Sequence, residues 1–83
     1  MAIKILLFTQ SGCLACEVMK IFLEAKGIAF EERDMDRDSA ARVELFETYH
    51  SRTAPTLVVI TASGAEVIEG FDPGRLDQFH SAA

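Results

Sequence analysis

Apolar side chains fill residues 3–9 (IKILLFT) with Lys4 the only charge, and residues 57–60 (LVVI) form a second unbroken apolar run. The first run is apolar on both faces, as expected of a central strand covered by helices on each side. Between the runs the period changes. Leu14, Val18, Ile21, Phe22 and Ala25 recur at helical spacing, and Gly27 after Lys26 supplies a helix stop. Residues 28–33 alternate Ile28 and Phe30 with Ala29 and Glu31, predicting a short strand that ends in the acidic turn 34–38. Such a β-α-β opening is parallel and right-handed.

Asp38 is placed to cap a second helix over residues 39 to about 49, with Val43, Leu45, Phe46 and Tyr49 as its apolar face. Pro55 opens a strand over 56–60, Ala62, Ser63 and Gly64 carry turn chemistry, and 66–69 read as the returning strand of a hairpin. Gly70 breaks that strand. Asp72 as N-cap and Pro73 in the first turn then begin a final short helix with Leu76 and Phe79 inward, and residues 81–83 form a loose tail. The predicted order is βαβαββα: an α/β chain with a four-stranded mixed sheet flanked by helices.

The 83 residues are expected to form one domain over 1–83, because a chain this short buries only about 60 to 65% of its unfolded surface. The net charge of −5, from 13 acidic and 8 basic side chains, argues against tracking phosphates or an anionic membrane face. Nucleic acid and membrane are therefore not expected partners. No apolar run approaches the roughly 20 residues of a membrane span, and the N-terminus enters a strand pattern without a signal-peptide profile. The default expectation is a cytoplasmic monomer.

The only two cysteines, Cys13 and Cys16, bracket Leu14-Ala15 at the junction of the first strand and first helix. In a reducing compartment so close a pair is poorly suited to a structural staple and well suited to opening and closing reversibly. A free thiol with pKa near 8.5 is only about 3% ionised at neutral pH, whereas helix-start cysteines fall to roughly 3.5 to 7. Cys13 occupies the N-cap position, where its sulfur can accept from the N–H groups of Ala15 and Cys16. It is the candidate attacking thiol. Cys16, one turn in and facing the core, is the candidate resolving thiol. Glu17 opposes ionisation of Cys13 if it shares its face, and Lys20 lies a turn further on. Half of a structural zinc site and a pair of inert core cysteines are the alternatives, the former needing two more ligands than His50 and His80 supply by spacing.

The strand, Cys13-x-x-Cys16, helix, then Thr53-Ala54-Pro55-Thr56 and Gly70-Phe71-Asp72-Pro73 resemble the glutaredoxin-like redoxins of the thioredoxin fold over essentially the whole chain. The last block is most similar to the NrdH-redoxins that serve ribonucleotide reductase. The resemblance implies a thiol-disulfide oxidoreductase that cycles through a Cys13–Cys16 disulfide and needs no cofactor. It implies a cis Pro55, and substrate contacts from Thr53, Ala54, Pro55, Gly70, Phe71 and Asp72. Arg52 matches a basic residue with which glutathione-using relatives hold a carboxylate. Gln10 stands uncharged where those relatives carry a second basic residue, so the glutathione site is half written. The implied partners are a disulfide-bearing protein or glutathione, with glutathione or thioredoxin reductase as electron source.

Each residue also has a plainer reading. Arg52 is otherwise a solvated loop charge, Phe71 a packing residue, Asp72 a helix cap, and His50 and His80 surface or helix-end residues. A redox sensor and a metal- or iron–sulfur-binding module on the same fold are the rival functions.

Overall fold

The computed structural model describes residues 2–72 together with Gly74 and Arg75. Six elements follow one another: β1 Ala2–Thr9, α1 Leu14–Ala25, β2 Glu31–Asp34, α2 Ser39–Glu47, β3 Thr56–Thr61 and β4 Gly64–Glu69. The sheet order is β2-β1-β3-β4. β1 and β2 are parallel, and β3 is antiparallel to both β1 and β4, which gives the expected mixed sheet with a terminal hairpin. The predicted last helix, with Pro73, Leu76 and Phe79, falls outside the described residues.

Strand alternation divides the core in two. Leu7, Leu57, Val59 and Ile68 pack on one face of the sheet against Met19 and Leu23 of α1. Leu6, Phe8 and Val58 pack on the other against Met35, Ala41 and Leu45. The helices therefore cover opposite faces, and β1 and β3, buried on both sides, are the apolar runs that the sequence displays.

Helix α1 ends in a Schellman motif: Gly27, at φ +71°, donates its N–H to Glu24 O at 3.0 Å, and Ile28 donates to Leu23 O at 2.9 Å. This corrects the expected second strand. Ile28 and Phe30 are absorbed by the helix stop and pack on the α1 side of the core, so pairing with β1 begins only at Glu31, opposite Leu6. The strand that forms is a polar edge strand.

The helix faces also differ from expectation. Cys16 is buried as predicted, but it shares its face with Met19 and Leu23, while Leu14, Val18 and Ile21 are exposed. In α2, capped by Asp38 Oδ1 accepting from Ala40 N at 3.0 Å, Ala41 and Leu45 are buried and Val43 and Phe46 are exposed. Ala41 and Leu45 pack against the sheet, and Val43 and Phe46 face away from it.

Candidate functional site

The loop after β1 is fixed from three sides. Thr9, buried, donates its hydroxyl to Glu32 Oε2 at 2.7 Å, and its carbonyl accepts from Met35 N at 2.9 Å. Ser11 N donates to Asp36 Oδ2 at 2.6 Å, and the other oxygen of Asp36 meets Arg42 Nη2 at 3.3 Å. The Ser11 N–H, with Arg42 adding to it, holds the Asp36 carboxyl below its ordinary value of 3.8. Gly12, at φ +71°, then turns the chain into α1, a backbone region that side-chain-bearing residues rarely adopt.

Cys13 is the N-cap of α1, with extended backbone at φ −98° and ψ 99°. Its Sγ accepts from Cys16 N at 3.1 Å; of the two N–H groups expected from the sequence, this is the one that reaches it. Cys13 and Cys16 are joined as a disulfide with Cα atoms 5.2 Å apart, within the usual range for such bonds. Cys13 is half-buried and Cys16 fully buried. Of the two cysteines, only Cys13 reaches the surface.

Cys13 opens onto a cleft of about 470 Å³ that also exposes Gln10, Leu14, Glu17, Lys20, Glu32 and Asp34. Lys20 Nζ lies 2.9 Å from Glu17 Oε2 and 3.4 Å from Glu32 Oε2. The hydrogen bond that Lys20 donates to Glu17, with help from Glu32, raises Lys20 above its ordinary 10.5, so the ammonium stays charged and occupied by carboxylates.

Sheet register brings two further segments to this end of the molecule. Phe8 is opposite Thr56, and Thr56 is opposite Glu69, so the chain just before β3 and just after β4 flanks the end of β1 that leads to Cys13. The Ala54–Pro55 bond is cis, as the resemblance implies, and Pro55 O accepts from Gly70 N at 2.8 Å. A clasp of hydroxyls, not anticipated from the sequence, fixes the same segment. Ser51, buried, donates to Glu69 Oε2 at 2.6 Å, Thr56 Oγ1 donates to Thr53 O at 2.7 Å, and Thr53 Oγ1 lies 3.2 Å from Thr56 Oγ1. The signal in the sequence is three hydroxyl residues, Ser51, Thr53 and Thr56, around one proline; Glu69, which accepts from Ser51 and Thr53, is 18 residues from Ser51 and has no local mark.

The other sequence-derived residues divide. Ala54 is partly buried against the α2 side of the core. Phe71, part-exposed, meets Phe22 of α1 edge to face with ring centres 5.5 Å apart. Asp72 Oδ1 accepts from Arg75 N at 3.3 Å, as an N-cap does. Arg52 is not brought to the cysteine cleft: its guanidinium stacks over Phe46 at 4.4 Å and lines a separate apolar groove with Met35, Val43 and Leu45. His50 is exposed. Among the described residues no three His, Cys, Asp or Glu side chains are grouped to hold a metal ion, and no helix is long and apolar enough to cross a membrane.

Comparison with known proteins agrees with this geometry. A thioredoxin-like protein, BC3987, is similar in structure at a TM-score of 0.80 and 40% identity, covering 90% of this chain and 97% of its own. NrdH-redoxin from Escherichia coli, described as glutaredoxin-like with a thioredoxin-like activity profile, gives 0.72 and 25% identity over 92% of this chain and 93% of its own. The Gene 56 protein of Mycobacterium phage D29 is 27% identical over 74 residues, 89% of this chain and 79% of that protein. A glutaredoxin from Archaeoglobus fulgidus shares the fold at a TM-score of 0.76 and 22% identity over 94% of this chain and 85% of its own. The glutaredoxin family model matches residues 5–61, a span that runs from β1 through Cys13, Cys16 and the cis-proline segment to the end of β3, and the chain belongs to the glutaredoxin family.

Proposed function

We propose that this chain reduces disulfides of proteins or small molecules through a Cys13–Cys16 dithiol cycle. The observation that carries the reading is the pairing of a part-exposed N-cap Cys13 with a wholly buried Cys16 whose N–H already serves the first sulfur. In the reduced protein the Cys13 thiolate attacks one sulfur of the substrate disulfide, forming a mixed disulfide and releasing the other sulfur as a thiolate. Cys16 then loses its proton and attacks Cys13 Sγ. The second substrate thiol leaves, two electrons have passed to the substrate, and the Cys13–Cys16 disulfide is left to be reduced.

Thioredoxin reductase is the electron donor we favour over glutathione. Gln10 brings no charge to the cleft, Arg52 lies in a different groove on Phe46, and the Lys20 ammonium in the cleft is paired with Glu17 and Glu32, so neither basic position of glutathione-using relatives puts a cation beside Cys13. The protein partners are those whose disulfides can reach the cleft, with Pro55 and the main chain of Ala54 lying alongside an extended peptide. A reducing compartment such as the cytoplasm suits the cycle, which starts from the dithiol. The test is NADPH consumption with a disulfide substrate, supplied in parallel by thioredoxin reductase and by glutathione with its reductase, each against Cys13→Ser. Turnover with thioredoxin reductase alone is expected; turnover with glutathione alone reverses the donor assignment, and turnover with neither removes the oxidoreductase reading.

A further inference from the structure

The cleft into which Cys13 opens is lined by three carboxylates, Glu17, Glu32 and Asp34, and one ammonium, Lys20. That ammonium is not available to a ligand: it is engaged at 2.9 Å by Glu17 and at 3.4 Å by Glu32. The remaining lining is uncharged, with Thr9, Gln10, Ser11, Gly12 and an exposed Leu14. One further cation offsets this lining from outside: Arg37 Nε lies 3.8 Å from Asp34 Oδ2. Among the described residues Arg42 pairs with Asp36 at 3.3 Å, Arg52 stacks on Phe46, and Arg75 binds Glu66. The reacting sulfur therefore sits in a depression of net negative charge, within a chain that is itself at −5.

We infer that the Cys13 site selects positively charged disulfides, meaning a protein disulfide flanked by Lys or Arg, or a small diamine disulfide, over neutral and anionic ones. The inference rests on the dithiol reading above and names its substrate class. Its physical basis is that an incoming cation gains, and an incoming anion loses, the interaction with one net negative charge left beside the sulfur under attack after Lys20 and Arg37 are counted. Glu32 and Asp34 are fixed independently of any ligand: Glu32 accepts from Thr9 at 2.7 Å, and Asp34 Oδ1 accepts from Asp36 N at 3.0 Å. Glu17 is the most exposed of the three. For one net charge about 8 Å away in water, the preference of cation over anion is about fourfold at ~10 mM ionic strength and approaches unity near ~1 M.

The test is the rate at which reduced protein reacts with three disulfides of one size: cystamine (cationic), 2-hydroxyethyl disulfide (neutral) and 3,3′-dithiodipropionate (anionic). Each rate is divided by that of dithiothreitol with the same disulfide, which removes the influence of the leaving thiol's acidity. The expected order is cation, then neutral, then anion, with the cation-to-anion ratio about fourfold at low salt, shrinking as salt rises. Glu17→Gln is expected to bring that ratio to about unity at low salt. Normalised rates that agree within about twofold, or that favour the anion, overturn the charge selection while leaving the oxidoreductase intact. No reaction with any of the three overturns both, and a ratio that ignores salt and Glu17→Gln overturns the electrostatic origin.

Discussion

Replacing Ser51 with alanine removes the hydroxyl that donates to Glu69 Oε2 at 2.6 Å from a side chain only 3% exposed. A hydrogen bond to a charged acceptor contributes about 1.5 to 3 kcal/mol net, against about 0.5 to 1.5 kcal/mol for a neutral pair. Glu69 is exposed, so water can take the vacated carboxylate oxygen, and the lower figure of about 1.5 kcal/mol applies. Thr56, fully buried, keeps its own 2.7 Å bond to Thr53 O, so no second buried group is orphaned. In a chain of this size each kcal/mol shifts the melting temperature by roughly 4–8 °C, which predicts a fall of about 6–12 °C. Thermal unfolding followed by circular dichroism at pH 7 reads this directly. Because the clasp holds the segment carrying Ala54 and Pro55, the KM for a peptide disulfide should also rise more than kcat falls. A melting temperature within about 2 °C of the parent would refute the claim that the clasp fixes this loop.

Other outcomes follow from the same geometry. Leu45→Ala should cost about 2–5 kcal/mol, and Val43→Ala, on the exposed side of α2, should stay within about 0.5 kcal/mol; urea unfolding of the pair checks which face is inward. Asp36 has its folded pKa depressed below 3.8, so its contribution to stability is complete above that value and lost as pH falls through the folded pKa. Melting curves from pH 6 to 2 should accordingly show a shallower acid decline in Asp36→Asn than in the parent. Lys20 runs the opposite way: its pKa is raised above 10.5, so its contribution is complete below 10.5 and fades as pH rises through the folded value. Lys20→Met should therefore flatten the alkaline limb of the same melting series.

What the sequence could and could not disclose follows the range of the interactions. The β1 and β3 runs are legible because a strand buried on both faces is apolar at every position, and Asp38 as a cap is legible because its partner, Ala40 N, is two residues away. The faces of α1 are not legible. Leu14, Val18 and Ile21 keep helical spacing, and so do Cys16, Met19 and Leu23, and period alone cannot choose between the two sets. The choice is made by the packing of Met19 and Leu23 on Leu7, Leu57 and Ile68.

The second strand is misjudged at its start for a related reason. Ile28 carries β-like patterning, but the Schellman bonds claim its backbone before the sheet can. At the site, Cys13, Cys16 and Pro55 are marked by local motifs. Glu32, Asp36 and Glu69 are not, since each acts on a group 18 to 25 residues away, and only the register of the sheet brings them together. Arg52 shows the converse: its place beside the cis-proline segment suggests a ligand contact, whereas Phe46, six residues earlier, holds its guanidinium.

The division of labour between the two cysteines is tested most directly by intact-mass measurement of reduced Cys16→Ser and Cys13→Ser proteins after exposure to a peptide disulfide. The account predicts that Cys16→Ser gains the mass of one half-peptide, bound at Cys13, and that Cys13→Ser remains unmodified because its one remaining thiol, on Cys16, is buried. Capture by Cys13→Ser, or no capture by Cys16→Ser, would contradict it.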